Sequence, residues 1–158
     1  MSLSINVIPD FSIVKATIED AGLLTAIAFL SKKHWNYPDE WMELWREGLI
    51  ISPKIIEEND SYKITSNNNT LGFIVISDQD KLAEILHSWI KPTSIGQGLG
   101  SLLISHVFKL EKFKGKVFEV TADPNAVPFY KKFGFLEFDK QPSTPTGRVL
   151  PIMRMTNG

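Results

Sequence analysis

Between Leu82 and Phe113 the chain runs from a dense apolar stretch, Leu82 to Ile90, through Pro92-Thr93-Ser94-Ile95-Gly96-Gln97-Gly98-Leu99-Gly100 into an amphipathic helical pattern. The spacing predicts a buried strand, a loop, and a helix opening at Gly98 and ending near Phe113, with Gly115 in a left-handed closing position. The first N–H groups of a helix lack intrahelical partners, and the aligned peptide dipoles there favour an anion. Glycine lets a diphosphate approach such a backbone with no Cβ in the way. A Walker loop is excluded, because Gly100 is followed by Ser101-Leu102-Leu103 with no lysine. A dinucleotide fingerprint fits poorly, since Ser101 stands where its third glycine belongs. A plain tight turn between strand and helix also fits this stretch, so a second motif must decide.

The rest of the chain alternates helices and strands. Residues 11–16 read as a strand, and Thr17 caps a helix from Ile18 to about Ser31 with Asp20 in its first turn. Pro38 opens a helix through Trp45, and Ser52-Pro53 precedes a short one over 54–58. Residues 61–65 and 71–77 form a hairpin about Asn67-Asn68-Asn69, and Asp78-Gln79-Asp80 turns the chain into Leu82. Further strands are expected over 117–122, 135–139 and 150–155, giving a mixed sheet covered on both faces. With 158 residues, 43% of them hydrophobic, one compact domain over 1–158 is expected. The formal charge of −1 argues against a nucleic-acid partner, and Lys109, Lys112, Lys114 and Lys116 read as a solvated face. No cysteine is present, so a disulfide framework, a thiolate metal site and a cysteine nucleophile are excluded. The longest apolar run, Ala21 to Leu30, is too short to span a bilayer, so a cytoplasmic protein without a membrane partner is expected, and no metal.

The second motif follows the strand at 117–122: Asp123-Pro124-Asn125-Ala126-Val127-Pro128-Phe129-Tyr130-Lys131-Lys132-Phe133-Gly134-Phe135. Together the two segments resemble the acyl-CoA-binding motifs of the GNAT N-acetyltransferase superfamily. That resemblance implies an α/β (α+β) fold with a mixed, mostly antiparallel sheet of six to seven strands. It also implies helices on both faces and a splay between the fourth and fifth strands that receives the pantetheine arm of acetyl-CoA. The family's Q/R-x-x-G-x-G/A loop is matched except at its first position, which is Ile95 here. Because backbone amides from Gly96 through Gln97, Gly98, Leu99 and Gly100 to Ser101 do the gripping, that departure is expected to matter little. Ser88, Trp89 and Ile90 match the pantetheine and acetyl-carbonyl contacts, Ile90 as an oxyanion donor, and Asn125 and Phe129 complete the coenzyme set.

The resemblance makes Tyr130 the general acid that protonates the departing thiolate; aromatic packing of its ring is the alternative. Glu84 matches the catalytic glutamate of the histone-acetylating members, and it also reads as an exposed strand carboxylate. Simple alternation places Glu84, Leu86, Ser88 and Ile90 on one face, with His87 on the other. Ser31-Lys32-Lys33-His34-Trp35-Asn36-Tyr37 and Gly147-Arg148-Val149-Leu150-Pro151 resemble segments of an uncharacterised bacterial GNAT branch. There His34, Trp35, Tyr37 and Arg148 are expected to wall the acceptor site, or to pack the loop and form a structural ion pair. Trp41 and Trp45 read as core packing. The expected partner is a small-molecule or peptide amine, with a homodimer through the late strands by analogy. A non-catalytic acyl-CoA-binding module is the competing reading.

Overall fold

Seven stretches of apolar or alternating residues pair into one sheet in the computed structural model, which describes residues 10–158. The strands are β1 (Ser12–Lys15), β2 (Asp60–Ser66), β3 (Asn69–Gln79), β4 (Leu82–Ile90), β5 (Val117–Thr121), β6 (Leu136–Pro142) and β7 (Val149–Thr156). Their order is β1-β2-β3-β4-β5-β7-β6, and every pairing is antiparallel except that of β4 with β5. The β2–β3 hairpin turns on Asn67 and Asn68, both left-handed, a conformation that asparagine tolerates better than most residues. At the far edge, β6 leaves Leu136 and Phe138 exposed.

Five α-helices cover the sheet: α1 (Ala21–Lys33), α2 (Asp39–Trp45), α3 (Pro53–Glu58), α4 (Leu99–Lys109) and α5 (Val127–Lys132). The first expected helix opens instead as a 3-10 turn over Ile18–Asp20, where the Asp20 carboxylate accepts the Thr17 N–H at 2.8 Å. The glycine-loop helix is shorter than its periodicity predicts. It stops at Lys109, Leu110 turns extended, and a 3-10 turn over Glu111–Phe113 drives Phe113 fully into the core. Asn157 makes this break tolerable, its amide donating to the carbonyls of Phe108 and Phe113. Lys112 and Lys116, read as solvated, pair with Asp60 and Asp78 at the sheet's end.

β3 is buried on both faces, which explains its unbroken apolar run. Ile74 and Ile76 pack with Leu103, Ile104 and Val107 of α4, with Ala83 and Ile85 of β4, and with Phe118 and Val120 of β5. Phe73 and Val75 pack on the opposite face with Leu24, Ile27 and Ala28 of α1 and Met42 of α2.

Two irregularities of β4 shape the opening beside it. β4 and β5 stay in register only through Leu82–Ile85 and Val117–Val120, after which β4 continues to Ile90 and the strands fork. Secondly, Val75 pairs with His87 while its neighbour Ile76 pairs with Ile85, so Leu86 is the extra residue of a β-bulge.

Candidate active site

The mouth of the fork is filled by the start of α4. Gly96 and Gly98 adopt φ of 94° and 77°, and nothing lies within 4 Å of where a Cβ would stand on either, so the backbone is open to a ligand. Gly98 caps α4, and the first turn of the helix leaves main-chain N–H groups without intrahelical acceptors. Gly100 has a packing role beside the one expected of it. A Cβ there would come within 3.3 Å of the Phe129 ring, so this glycine permits close packing of α4 on α5.

A cleft of about 350 Å³ extends from this loop into the fork. Every residue expected to hold the coenzyme lines it except Gln97. Ser31, Ser94, Asp123, Ala126 and Lys132 also line it and were not singled out by sequence reasoning. Lys132 had a visible signal, being a cation inside the second motif, whereas Ser31 reaches the cleft only because α1 crosses β4.

Main-chain polarity inside the fork derives from one bond. The Lys91 N–H donates to the Leu71 carbonyl at 2.7 Å, and antiparallel ladders alternate, so the peptide groups of Trp89 are directed at β3. Those of Ser88 and Ile90 are directed into the fork. The Ile90 carbonyl there accepts a hydrogen bond from the Ser31 hydroxyl.

Tyr130 sits on this cleft, only 5% exposed. Burial raises its phenol well above the ordinary tyrosine value, and the nearby Ser88 hydroxyl offsets this only in part. The phenol therefore keeps its proton throughout the physiological range.

The bulge overturns the expected grouping of Glu84 with Ser88 and Ile90. Cross-strand partners share a face, so Ala83, Ile85, Ser88 and Ile90 face α4, while Glu84, His87 and Trp89 face the side of α1. Glu84 is not on the cleft lining; its carboxylate accepts from the Gln79 amide at 3.2 Å, one residue before the fork opens. His87 Nδ1 accepts the Trp89 indole N–H at 3.1 Å, and burial lowers its pKa to about 4. It is thus neutral near pH 7 with that lone pair engaged, and is ill suited to deprotonate an amine.

The residues expected to wall the acceptor site separate into two groups. His34 closes α1 through its N–H to the Leu30 carbonyl, is exposed, and touches the cleft only by way of Trp35, whose ring it meets edge-on at 5.3 Å. Trp35 lines the cleft directly. Tyr37 and Arg148 instead join a clasp around Asp123. That carboxylate accepts from Lys32 Nζ, from the Tyr37 hydroxyl at 2.9 Å, and from the Asn125 N–H and amide at 2.8 and 3.0 Å. Arg148 Nη2 stands 3.2 Å from the Tyr37 hydroxyl and 3.5 Å from Asp123. Burial lowers the Lys32 pKa, with Asp123 opposing the shift. Burial also pushes the Asp123 carboxyl upward, but Lys32, the Asn125 N–H and Tyr37 outweigh it and hold that pKa below the usual carboxylate value. Trp45 is more than core packing, since Lys32 Nζ lies 4.5 Å and the Arg148 guanidinium 4.6 Å from its ring.

Three segments far apart in the sequence thus meet at a single carboxylate. Asp123 also caps the turn that leads into α5, which carries Tyr130, so the clasp ties the α1–α2 loop to the helix bearing the phenol. Among the described residues, no helix is long and apolar enough to cross a membrane, and no cluster of His, Asp and Glu could hold a metal ion.

A family model described as an acetyltransferase (GNAT) domain matches residues 50–156. No curated protein sequence matches the chain. Among solved structures, the PaiA N-acetyltransferase of Thermoplasma acidophilum in complex with coenzyme A is similar over 93% of this chain and 99% of its own, at TM-score 0.76 and 23% identity. YncA of Salmonella typhimurium, solved with its cofactor acetyl-CoA, aligns over 94% and 95% at TM-score 0.66 and 18% identity. The ribosomal-protein-S18-alanine N-acetyltransferase of Escherichia coli aligns over 93% and 94% at TM-score 0.64 and 19% identity. These likenesses are of fold, and with the domain match and the forked strands they lead to one conclusion: the chain belongs to the GNAT acetyltransferases, enzymes whose cosubstrate is acetyl-CoA.

Proposed function

We propose that the protein moves the acetyl group of acetyl-CoA to a primary amine of a small molecule, by direct attack with both substrates bound. The observation that carries this reading is Tyr130, a buried phenol that retains its proton, in the same cleft as the open amides at the start of α4.

The residues present fit the coenzyme. Main-chain N–H groups from Gly96 to Ser101 suit the diphosphate, with Lys132 as a nearby cation, and the fork-directed groups of Ser88 and Ile90 suit a linear amide arm. Acetyl-CoA supplies the acyl group as an activated thioester. Tyr130 holds a proton at Oη for the sulfur, whose conjugate acid titrates near ~8.5, as the C–S bond breaks and the C–N bond forms. An aliphatic ammonium titrates near ~10, so the amine must give up a proton before attack. Glu84, at the apex of the fork on the α1 side, is the carboxylate available to accept it through water.

The test is thiol release from acetyl-CoA with a panel of small amines. Acetylation that falls steeply in Tyr130→Phe, with acetyl-CoA affinity retained, is the expected result. Binding of acetyl-CoA without turnover on any amine would replace the reading with that of a non-catalytic acyl-CoA module.

A further inference from the structure

Resting on the reading above, we infer that the acceptor amine carries a carboxylate, and that Arg148 receives it. The clasp holds two cations, Lys32 and Arg148, and among the described residues Asp123 is the only carboxylate in ion-pair contact with either. All three side chains are nearly removed from water, at 10%, 12% and 14% exposed for Lys32, Arg148 and Asp123. One positive charge is therefore left without a counter-ion in a place where water compensates it poorly.

That surplus resides on Arg148. Asp123 spends its acceptor capacity on Lys32, Tyr37 and Asn125, and its contact with Arg148, at 3.5 Å, is the longest in the clasp. Among the described residues only Nη2 of Arg148 has a hydrogen-bond partner. The guanidinium is meanwhile held in position by the rings of Trp45 at 4.6 Å and Tyr37 at 5.3 Å. A positioned fork with unused N–H donors is suited to a planar carboxylate, and one surplus charge matches a monoanion better than a phosphate dianion.

The location fits an acceptor subsite. Asp123 and Asn125, which touch Arg148 and Tyr37, line the cleft that also contains Tyr130. Arg148 itself does not line the cleft; it stands behind the part of the wall that Asp123 and Asn125 form, in contact with Asp123 and Tyr37.

The test compares α-amino acids and β-alanine with their carboxamides as acceptors for the full chain at saturating acetyl-CoA. The expected preference for the acid over its amide is about 10- to 100-fold in kcat/KM, the range of a charge-assisted hydrogen-bonded pair. Arg148→Met should abolish the preference, lowering kcat/KM for the acids far more than for the amides, and Arg148→Lys should keep part of it; unchanged acetyl-CoA affinity in both certifies the fold. Calorimetric binding of the same amino acids to the CoA-bound protein reads the subsite without turnover. Carboxylate binding weakened at least 10-fold by Arg148→Met would sustain the inference even if catalysis were absent and the proposed function wrong. Amides accepted as well as acids, equal losses for both in Arg148→Met, or no carboxylate binding at all would overturn the inference, and amine acetylation would then still uphold the function.

Discussion

The two halves of the cleft are built by different means. The half proposed to meet the coenzyme comes from a nearly continuous run, the end of β4, the glycine loop and the start of α4, and presents main-chain groups. The half proposed to take the acceptor is assembled from the α1–α2 loop, the entry to α5 and the β6–β7 loop, and is held by side chains meeting at Asp123. A backbone site is expected to tolerate variation in its side chains, the departure at Ile95 included. A side-chain site depends on each member, because losing one leaves its partners desolvated and unpaired.

The sharpest way to separate the halves is Asp123→Ala, which strands the Lys32 ammonium in a buried position. Breaking such a pair costs about 3–5 kcal/mol, so a thermal melt should fall by on the order of 10 °C, and Lys32→Met in the same chain should restore part of it. Stability unchanged by Asp123→Ala would refute the view that the acceptor wall is held by this carboxylate.

Next in size is Tyr130→Phe, expected to lower kcat about 100-fold or more while the dissociation constant of acetyl-CoA stays within a few-fold of wild type. Equal losses in both quantities would mean that the ring packs the coenzyme half and the hydroxyl does no chemistry.

His87 offers a pH-dependent contrast. Its folded pKa of about 4 lies below the ordinary 6.5, so the unfolded chain binds the extra proton between those values. Stability from keeping this ring neutral is present above about pH 6.5 and is lost as pH falls toward 4, by on the order of 3 kcal/mol. His87→Gln should flatten that acid limb of the melting curve, and an unaltered limb would assign it to other groups.

The smallest effect is expected at Gly98→Ala. A left-handed non-glycine residue costs about 1–2 kcal/mol, and acetyl-CoA affinity should weaken as the α4 amides lose their alignment, with the acceptor preference unchanged. A change in acceptor preference would show that the two halves are coupled across the cleft they share.

The glycine loop and the cleft beside it were legible in the sequence because their determinants are local: glycines at a helix start, an apolar strand before them, and a Phe-Tyr pair after the next strand. All seven strands were likewise readable from pattern and turn residues. The face of Glu84 was not, since nothing in Glu84-Ile85-Leu86-His87 announces an extra residue, and alternation read straight through it gives the wrong side. The clasp was also hidden. Lys32 and Asp123 lie 91 residues apart in sequence and meet only through the tertiary fold. The available signal was that three motif-like segments place Lys32, Asp123 and Arg148 amid aromatic or turn-forming neighbours.

Leu86 acts as a half-step in the phase of a single strand. On one side of it, the carboxylate of Glu84 is turned toward α1; on the other, the hydroxyl of Ser88 is turned toward the phenol of Tyr130. The carboxylate and the hydroxyl thus occupy opposite surfaces of one ribbon beside the opening between β4 and β5, whereas a strand that kept Leu86 in regular alternation would bring both onto the same surface.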